Sequence, residues 1–158
     1  MKVKKTIYTI GHSIRPIQEF LDILKSFEID LLVDIRRYPG SRKYPHFNQE
    51  ALKTILTAGG IHYQHLISLG GRRTAKKNSS NQAWKNLTIR GFADYMETEE
   101  FRIGIHELEE WARKQKTVIM CSEAVWWSCH RSMVSDYLKV HGWYVWHISS
   151  IGKAKEHP

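Results

Sequence analysis

The sequence predicts an α/β domain: a single-domain three-layer sandwich with a mostly parallel, twisted sheet of about five strands and helices on both faces. Three observations carry this expectation. Short apolar runs alternate with longer segments of helical spacing, in the order β-α-β-α-β-(loop)-α-β-α-β, and such alternation builds parallel sheets flanked by helices. The chain of 158 residues is the size of one domain, and no repeat, low-complexity tract or Pro/Gly-rich linker divides residues 1–158. Its 42% hydrophobic and 25% charged residues suit a globular interior with a polar surface.

The elements follow in order along the chain. The opening "MKVKKTIYTIGHS" is basic and then apolar like a signal peptide, but its apolar run is short and broken by polar residues. "TIYTIG" is therefore expected to be a first buried strand ending at a glycine. "PIQEFLDILKSFEI" has Ile17, Phe20, Leu21, Leu24 and Phe27 at helical spacing, with Ser13 as its expected cap and Pro16 in its first turn. "DLLVDIR" is short enough for a strand, and "YPGSRKYPHF", with two prolines and a glycine, is a loop. "NQEALKTILTAGG" predicts a helix capped by Asn48 and stopped at Gly59-Gly60. "IHYQHLISLGG" is strand-like and runs into a polar, aperiodic segment at 72–90. "GFADYMETEEFRIGIHELEEWARKQ" predicts amphipathic helix broken near Thr98, followed by strand "KTVIMCS", a last full helix "SMVSDYLKVHG" and a final strand "WYVWHIS".

Nothing approaches the roughly 18 consecutive apolar residues of a membrane span, and two cysteines are too few for a stapled secreted domain, so a cytoplasmic protein is expected. The net charge of +8, with pI near 9.5, favours an acidic partner, with nucleic acid first and phosphorylated small molecules second. The charge is also segregated. Arg72, Arg73, Lys76, Lys77, Lys85 and Arg90 share a stretch with no acidic residue, Arg36, Arg37, Arg42 and Lys43 form a second cluster, and acidic residues gather around Glu97–Glu110.

In open α/β sheets ligands bind beyond the carboxyl ends of the strands. That rule nominates Gly11-His12-Ser13, Asp34-Ile35-Arg36-Arg37, Leu69-Gly70-Gly71, Cys121-Ser122-Glu123 and His147. The same segments carry a family likeness. "TIGHS", "DIRRYPGSRKYPHFN", "HLISLGGRR", "FADYM", "CSEAVWWSCHRSMVSDYL" and "GWYVWHI", spread from about Thr9 to Ile148, together resemble the DUF488 family of unknown function. Such proteins are compact α/β domains. The resemblance implies one pocket holding His12, Ser13, Asp34, Arg36, Arg42, Gly70, Gly71, Cys121, Glu123, Cys129, His130 and Arg131.

Several chemistries fit those residues. Cys129, at a predicted helix N-terminus beside His130 and Arg131, is placed where a thiolate is favoured. The order Cys, loop, Arg is loosely similar to rhodaneses and cysteine phosphatases, yet Arg131 follows Cys121 by ten residues and Cys129 by two, neither matching a short anion cradle. The Cys and His spacing does not match a structural zinc pattern, and no metal or cofactor is expected. A Cys121–Cys129 disulfide is geometrically possible but unusual in a cytosolic protein. Arg131 and His130, opening a helix, and Arg36, Arg37 and Arg42 from the neighbouring strand end are candidate phosphate contacts; pairing of the arginines with Asp34 and Glu123 is the structural alternative.

Asp34 and Glu123 are candidates for carboxylate proton transfer, assisted by His12 or His130. Tyr44, Phe47, Trp126 and Trp127, with Tyr38, Tyr63 and Trp84 nearby, would stack on an exposed base, although one of the paired tryptophans is expected to pack inward. The leading expectation is an enzyme acting on nucleic acid, most plausibly DNA, by damaged-base excision of the glycosylase kind. In that assignment Ser13, Gly70 and Gly71 complete the substrate site. The alternatives are a rhodanese- or phosphatase-like thiol enzyme using Cys121 or Cys129 on a small anion, and a non-catalytic nucleic-acid-binding module.

Overall fold

The computed structural model describes residues 5–71, 73–81 and 87–158, with backbone alone at 87 and 88. Arg72, Trp84 and Lys85 of the basic segment lie outside the described residues. The strands are β1 (Thr6–Gly11), β2 (Leu31–Asp34), β3 (His62–His65), β4 (Thr117–Cys121), β5 (Tyr144–Ser150) and β6 (Lys153–Glu156). They form one sheet in the order β3-β2-β4-β1-β5-β6, parallel except for β6, which pairs antiparallel with β5. The expected α/β sandwich is thus present with six strands rather than about five. The added strand, Lys-Ala-Lys-Glu, has no apolar run to announce it, because an edge strand needs only one partner and gains from charges that block further pairing.

Helices α1 (Ile17–Ser26) and α2 (Gln49–Ala58) cover one face, and α3 (Leu87–Tyr95), α4 (Glu99–Lys114) and α5 (Arg131–Val140) the other. The central strands are buried on both sides, so their side chains divide between two cores with period two. Leu31, Val33, Ile119 and Cys121 pack with Phe92, Phe101, Ile105, Leu108, Val134 and Leu138. Leu32, Val118 and Met120 pack with Phe20, Ile23, Leu24, Leu52 and Leu56. Continuous apolar runs rather than alternation are what such strands require.

Two predicted caps act differently. Helix α1 begins at Pro16 with no side-chain cap; Ser13 instead adopts a left-handed φ of 50°, and its amide donates to the Ser122 carbonyl at 3.0 Å. Asn48 occupies the cap position of α2, but its Oδ1 accepts from the Ser41 amide and so fixes the preceding loop. The predicted break at Thr98 is present: the Thr98 hydroxyl oxygen accepts from the Phe101 amide at 3.3 Å, capping α4, whose first turn carries Glu99 and Glu100 and whose last carries Arg113 and Lys114.

Within the described part of the basic segment, the Asp94 carboxylate accepts from the Lys76 amide at 2.8 Å, the Ser79 hydroxyl at 2.6 Å and the Asn81 side-chain amide at 2.8 Å. Residues 76–81 are therefore tied to α3. No helix among the described residues is long and apolar enough to cross a membrane.

Phe47, expected at a base-stacking surface, is fully buried between His12, Phe20 and His46, because the turn Pro45–Phe47 rolls it under α1. It belongs to the core. Phe47→Ala should lower unfolding free energy by about 3–5 kcal/mol in urea titration; a loss under 1 kcal/mol would mean that the ring is not packed as described.

Candidate active site: a thiol pair where the strand order reverses

From β1 the chain proceeds outward to β2 and β3; from β4, the strand inserted between β1 and β2, it proceeds the other way to β5. The reversal lies between β1 and β4, whose last residues, Gly11 and Cys121, are register partners. Connections leave that point in opposite directions and a crevice opens between them. A cleft of about 410 Å³ lies there, lined by His12, by Arg36 and Arg37 after β2, by Gly71, and by Cys121 to Glu123 and Ser128 to His130.

The loop after β4 runs directly over the end of β1. A Cβ on Gly11 would stand 1.6 Å from the Glu123 carbonyl oxygen, so only glycine admits this path. The His12 and Ser13 amides donate to the Cys121 and Ser122 carbonyls at 2.9 and 3.0 Å, extending the pairing beyond the strands. Thus held, the loop passes through a short 3-10 turn at Trp126–Ser128 and returns Cys129 to the start of α5, with its sulfur 3.0 Å from that of Cys121.

The two thiols are inequivalent. Cys121, at a strand end in the core, is 2% exposed; Cys129 is half-buried and faces the cleft. The hydrogen bond from Cys121 holds the Cys129 thiol well below its ordinary pKa, with the His130 imidazole and the Arg131 amide (3.4 Å from the sulfur) acting in the same direction against burial. Cys121 is pushed well above its ordinary value, first by its bond to Cys129 and then by burial. Ionisation of the pair is therefore favoured at the more accessible sulfur, at the N-terminus of a ten-residue helix.

The Arg131 guanidinium, expected to meet a phosphate, is 1% exposed and lies beneath the loop. Its Nη2 donates to the Glu123 and Ala124 carbonyls at 3.2 and 3.3 Å, while Nε and Nη1 have no hydrogen-bond partner among the described residues. It cannot contact an external anion directly. Instead it fixes the loop, and its charge opposes the rise of the Cys121 pKa.

Asp34 and Arg36 adopt the structural alternative. Both are buried, the Arg36 guanidinium donates to Asp34 at 2.9 and 2.7 Å, and the Arg36 amide and Tyr63 hydroxyl add donors at 3.1 and 2.6 Å. With four donors on its oxygens, Asp34 has no lone pair directed at the cleft. Glu123 is the carboxylate that lines it, on an exposed residue.

His12 donates from Nδ1 to the Ser13 carbonyl at 2.9 Å and stacks on Phe47. Burial, against the opposing bond to the Ser13 carbonyl and with help from the Arg36 charge, lowers its pKa to about 4, so it is neutral at pH 7. His130 donates from Nε2 to the Ile35 carbonyl at 3.0 Å, which leaves Nδ1 beside Gly71, where a Cβ would come within 2.7 Å. Gly70 is as tightly placed, against Arg37. Arg42 is exposed and Tyr44 packs partly on the core; neither lines the cleft, whereas Tyr38 and Ser41 do. Trp127 is 64% exposed, and Trp126 lies flat on His147 at 4.7 Å. One of the paired tryptophans packs inward and the other remains on the surface.

A buried polar chain went unforeseen in the sequence. Thr9 bonds His147 (2.5 Å), His147 bonds His157 (2.8 Å), and His157 meets Asp136 of α5 (2.5 Å). Asp136 accepts from His157 Nε2, His157 Nδ1 meets His147 Nε2, and His147 Nδ1 meets the Thr9 hydroxyl, which joins all four side chains in one hydrogen-bonded run. Trp126 rests on this chain, so the far end of the chain's last strand supports the loop that carries Cys129. Only the pairing of Thr9 opposite His147 could have hinted at it, and that depends on strand order. Among the described residues no three His, Cys, Asp or Glu side chains gather as metal ligands.

The fold and site together define an α/β domain with a paired-thiol crevice at its topological switch point. A family model, "Domain of unknown function DUF488", matches residues 16–138, and the chain belongs to that family. No curated protein and no solved structure shows significant similarity to it.

Two outcomes follow. Burial lowers the pKa of His147 to about 3 and of His12 to about 4, so below pH 6.5 the unfolded chain takes up protons that the fold refuses. Thermal stability should fall steadily from pH 6.5 to pH 4, with a shallower slope in His147→Gln; a slope unchanged by that substitution would contradict the assignment. Gly11→Ala should displace the loop and slow alkylation of Cys129 at pH 6 at least tenfold, a rise of about 1.4 kcal/mol in the barrier, read by thiol-specific mass labelling.

Proposed function

We propose that the protein is a thiol-dependent enzyme in which Cys129 is the nucleophile and a small anionic electrophile occupies the cleft. The observation that carries this is the sulfur pair, 3.0 Å apart, whose charge is drawn onto the cleft-facing member. A nucleophilic thiol must be ionised at working pH and reachable, and Cys129 meets both requirements. The helix N-terminus behind it favours negative charge in the ligand, and Arg37 at the cleft wall adds a cation. Such chemistry is of the rhodanese or phosphatase kind. The longer loop between Cys121 and Arg131 differs from a short cradle because Arg131 stabilises the loop from below rather than closing over the ligand.

Nucleic acid, most plausibly DNA, is a second candidate substrate, with damaged-base excision as its reaction. In its favour are the net charge of +8 and the exposed rings of Trp127 and Tyr38, 64% and 61% accessible, the latter 5.4 Å from Arg37. Glu123 would then supply the carboxylate, since Asp34 is saturated by its four donors.

The decisive comparison is between Cys129→Ser and Glu123→Gln, assayed against thiosulfate, p-nitrophenyl phosphate and a panel of base-damaged oligonucleotides. The thiol enzyme should lose at least a thousandfold in turnover of a small anion on Cys129→Ser, and its alkylation rate should stay high down to pH 5. Base excision that survives Cys129→Ser and disappears in Glu123→Gln would replace the thiol assignment with the nucleic-acid one.

A further inference from the structure

We propose that Cys121 is a resolving thiol, and hence that the substrate is a small anionic compound bearing a sulfane sulfur; this rests on Cys129 being the nucleophile. The two sulfurs are arranged for different tasks. Both line the cleft, but Cys129 is the more accessible, with its thiolate favoured, whereas Cys121 is nearly out of solvent and held towards its protonated form. A disulfide needs sulfurs about 2.05 Å apart, so closing the 3.0 Å gap requires the sulfurs to approach by roughly an ångström, about the excess over that bond length.

That placement discriminates between reactions. A phosphoryl or acyl group on Cys129 puts the electrophilic atom outside the sulfur, where water must arrive from the cleft, and Cys121 then acts only through its hydrogen bond to Cys129 and takes no covalent part. A persulfide on Cys129 makes Cys129 Sγ itself electrophilic. Attack on it must come from a second sulfur within reach, and the nearly buried Cys121 Sγ lies 3.0 Å from Cys129 Sγ.

In the first step the Cys129 thiolate attacks the outer sulfur of a donor such as thiosulfate. The donor S–S bond breaks, sulfite leaves with the electron pair, and Cys129 carries a persulfide anion. In the second step the Cys121 sulfur attacks Cys129 Sγ. The bond to the outer sulfur breaks, and that sulfur leaves as hydrosulfide with the proton from Cys121. Both cysteines are oxidised to a disulfide while the sulfane sulfur is reduced to sulfide. An external dithiol then restores the pair by exchange, becoming a disulfide itself. Buried Arg131, with two nitrogens unpartnered among the described residues, offsets the negative charge that passes through the sulfur pair during both steps.

The test uses the full chain, thiosulfate as probe, and Cys121→Ser, Cys121→Ala and Cys129→Ser variants with circular dichroism to confirm folding. The wild type should release sulfite and then sulfide, and lose both free thiols to an internal disulfide seen by peptide mass mapping. Cys121→Ser and Cys121→Ala should release sulfite stoichiometrically, and more slowly where the hydrogen bond to Cys129 is lost, but at least a hundredfold less sulfide, retaining one extra sulfur on Cys129 that dithiothreitol removes. Cys129→Ser should release neither product. Wild-type sulfide release by both Cys121 variants, or free Cys121 in the wild type after sulfite release, would overturn the resolving role. Rapid alkylation of Cys129 at pH 5 without any sulfite release would overturn the sulfane-sulfur substrate while leaving the nucleophile intact. Slow alkylation of Cys129 would remove the nucleophile itself.

Discussion

Everything at the site depends on the chain passing over Gly11 at backbone contact distance. The Glu123 carbonyl lies where a β-carbon would be, and backbone hydrogen bonds from His12 and Ser13 extend the β1–β4 pairing past the strand ends. The loop is held on both sides: Arg131 grips its carbonyls from below, and Trp126 rests on His147 at its far end. These contacts determine that Cys129 meets Cys121 rather than solvent. A looser loop would leave two ordinary cysteines.

Two buried guanidiniums near the site serve opposite ends. Arg36 is neutralised by Asp34 within a saturated cluster that includes Tyr63, and removing either member would strand a charge in the core. Arg131 has no carboxylate partner among the described residues and donates only to two carbonyls. An unbalanced buried cation is costly unless negative charge is close, and the sulfur pair, whose Cys121 feels the Arg131 charge, is such a source. The chain thus separates a structural ion pair from a cation left to support anionic chemistry, a few residues from the same strand ends.

Much of the fold was legible because its signals are local. The apolar runs of β1, β2 and β4, the helical spacing of α1 and α2, and the break at Thr98 each follow from side chains within one or two turns. The misread elements were those with weak local signals. Strand β6 is charged because it lies at an edge, Ser13 reads as a cap because its partner Ser122, just past β4, is distant in sequence, and Phe47 reads as available because a turn followed by burial resembles a surface loop. The inward packing of one tryptophan was foreseen, but the histidine chain beneath it joins residues 9, 147, 157 and 136, and no local pattern links them.

The sequence alone determined the α/β class and the strand ends that would form the site, because hydrophobic periodicity and chain order are properties of neighbouring residues. It also placed Cys121 after a strand and Cys129 before a helix. Only the tertiary structure decided what those residues do. Insertion of β4 between β1 and β2 set Gly11 against the loop, buried Asp34, Arg36 and Arg131, and brought two sulfurs eight positions apart to 3.0 Å. Burial and distance govern ionisation, and both belong to the folded arrangement rather than to any segment of the chain.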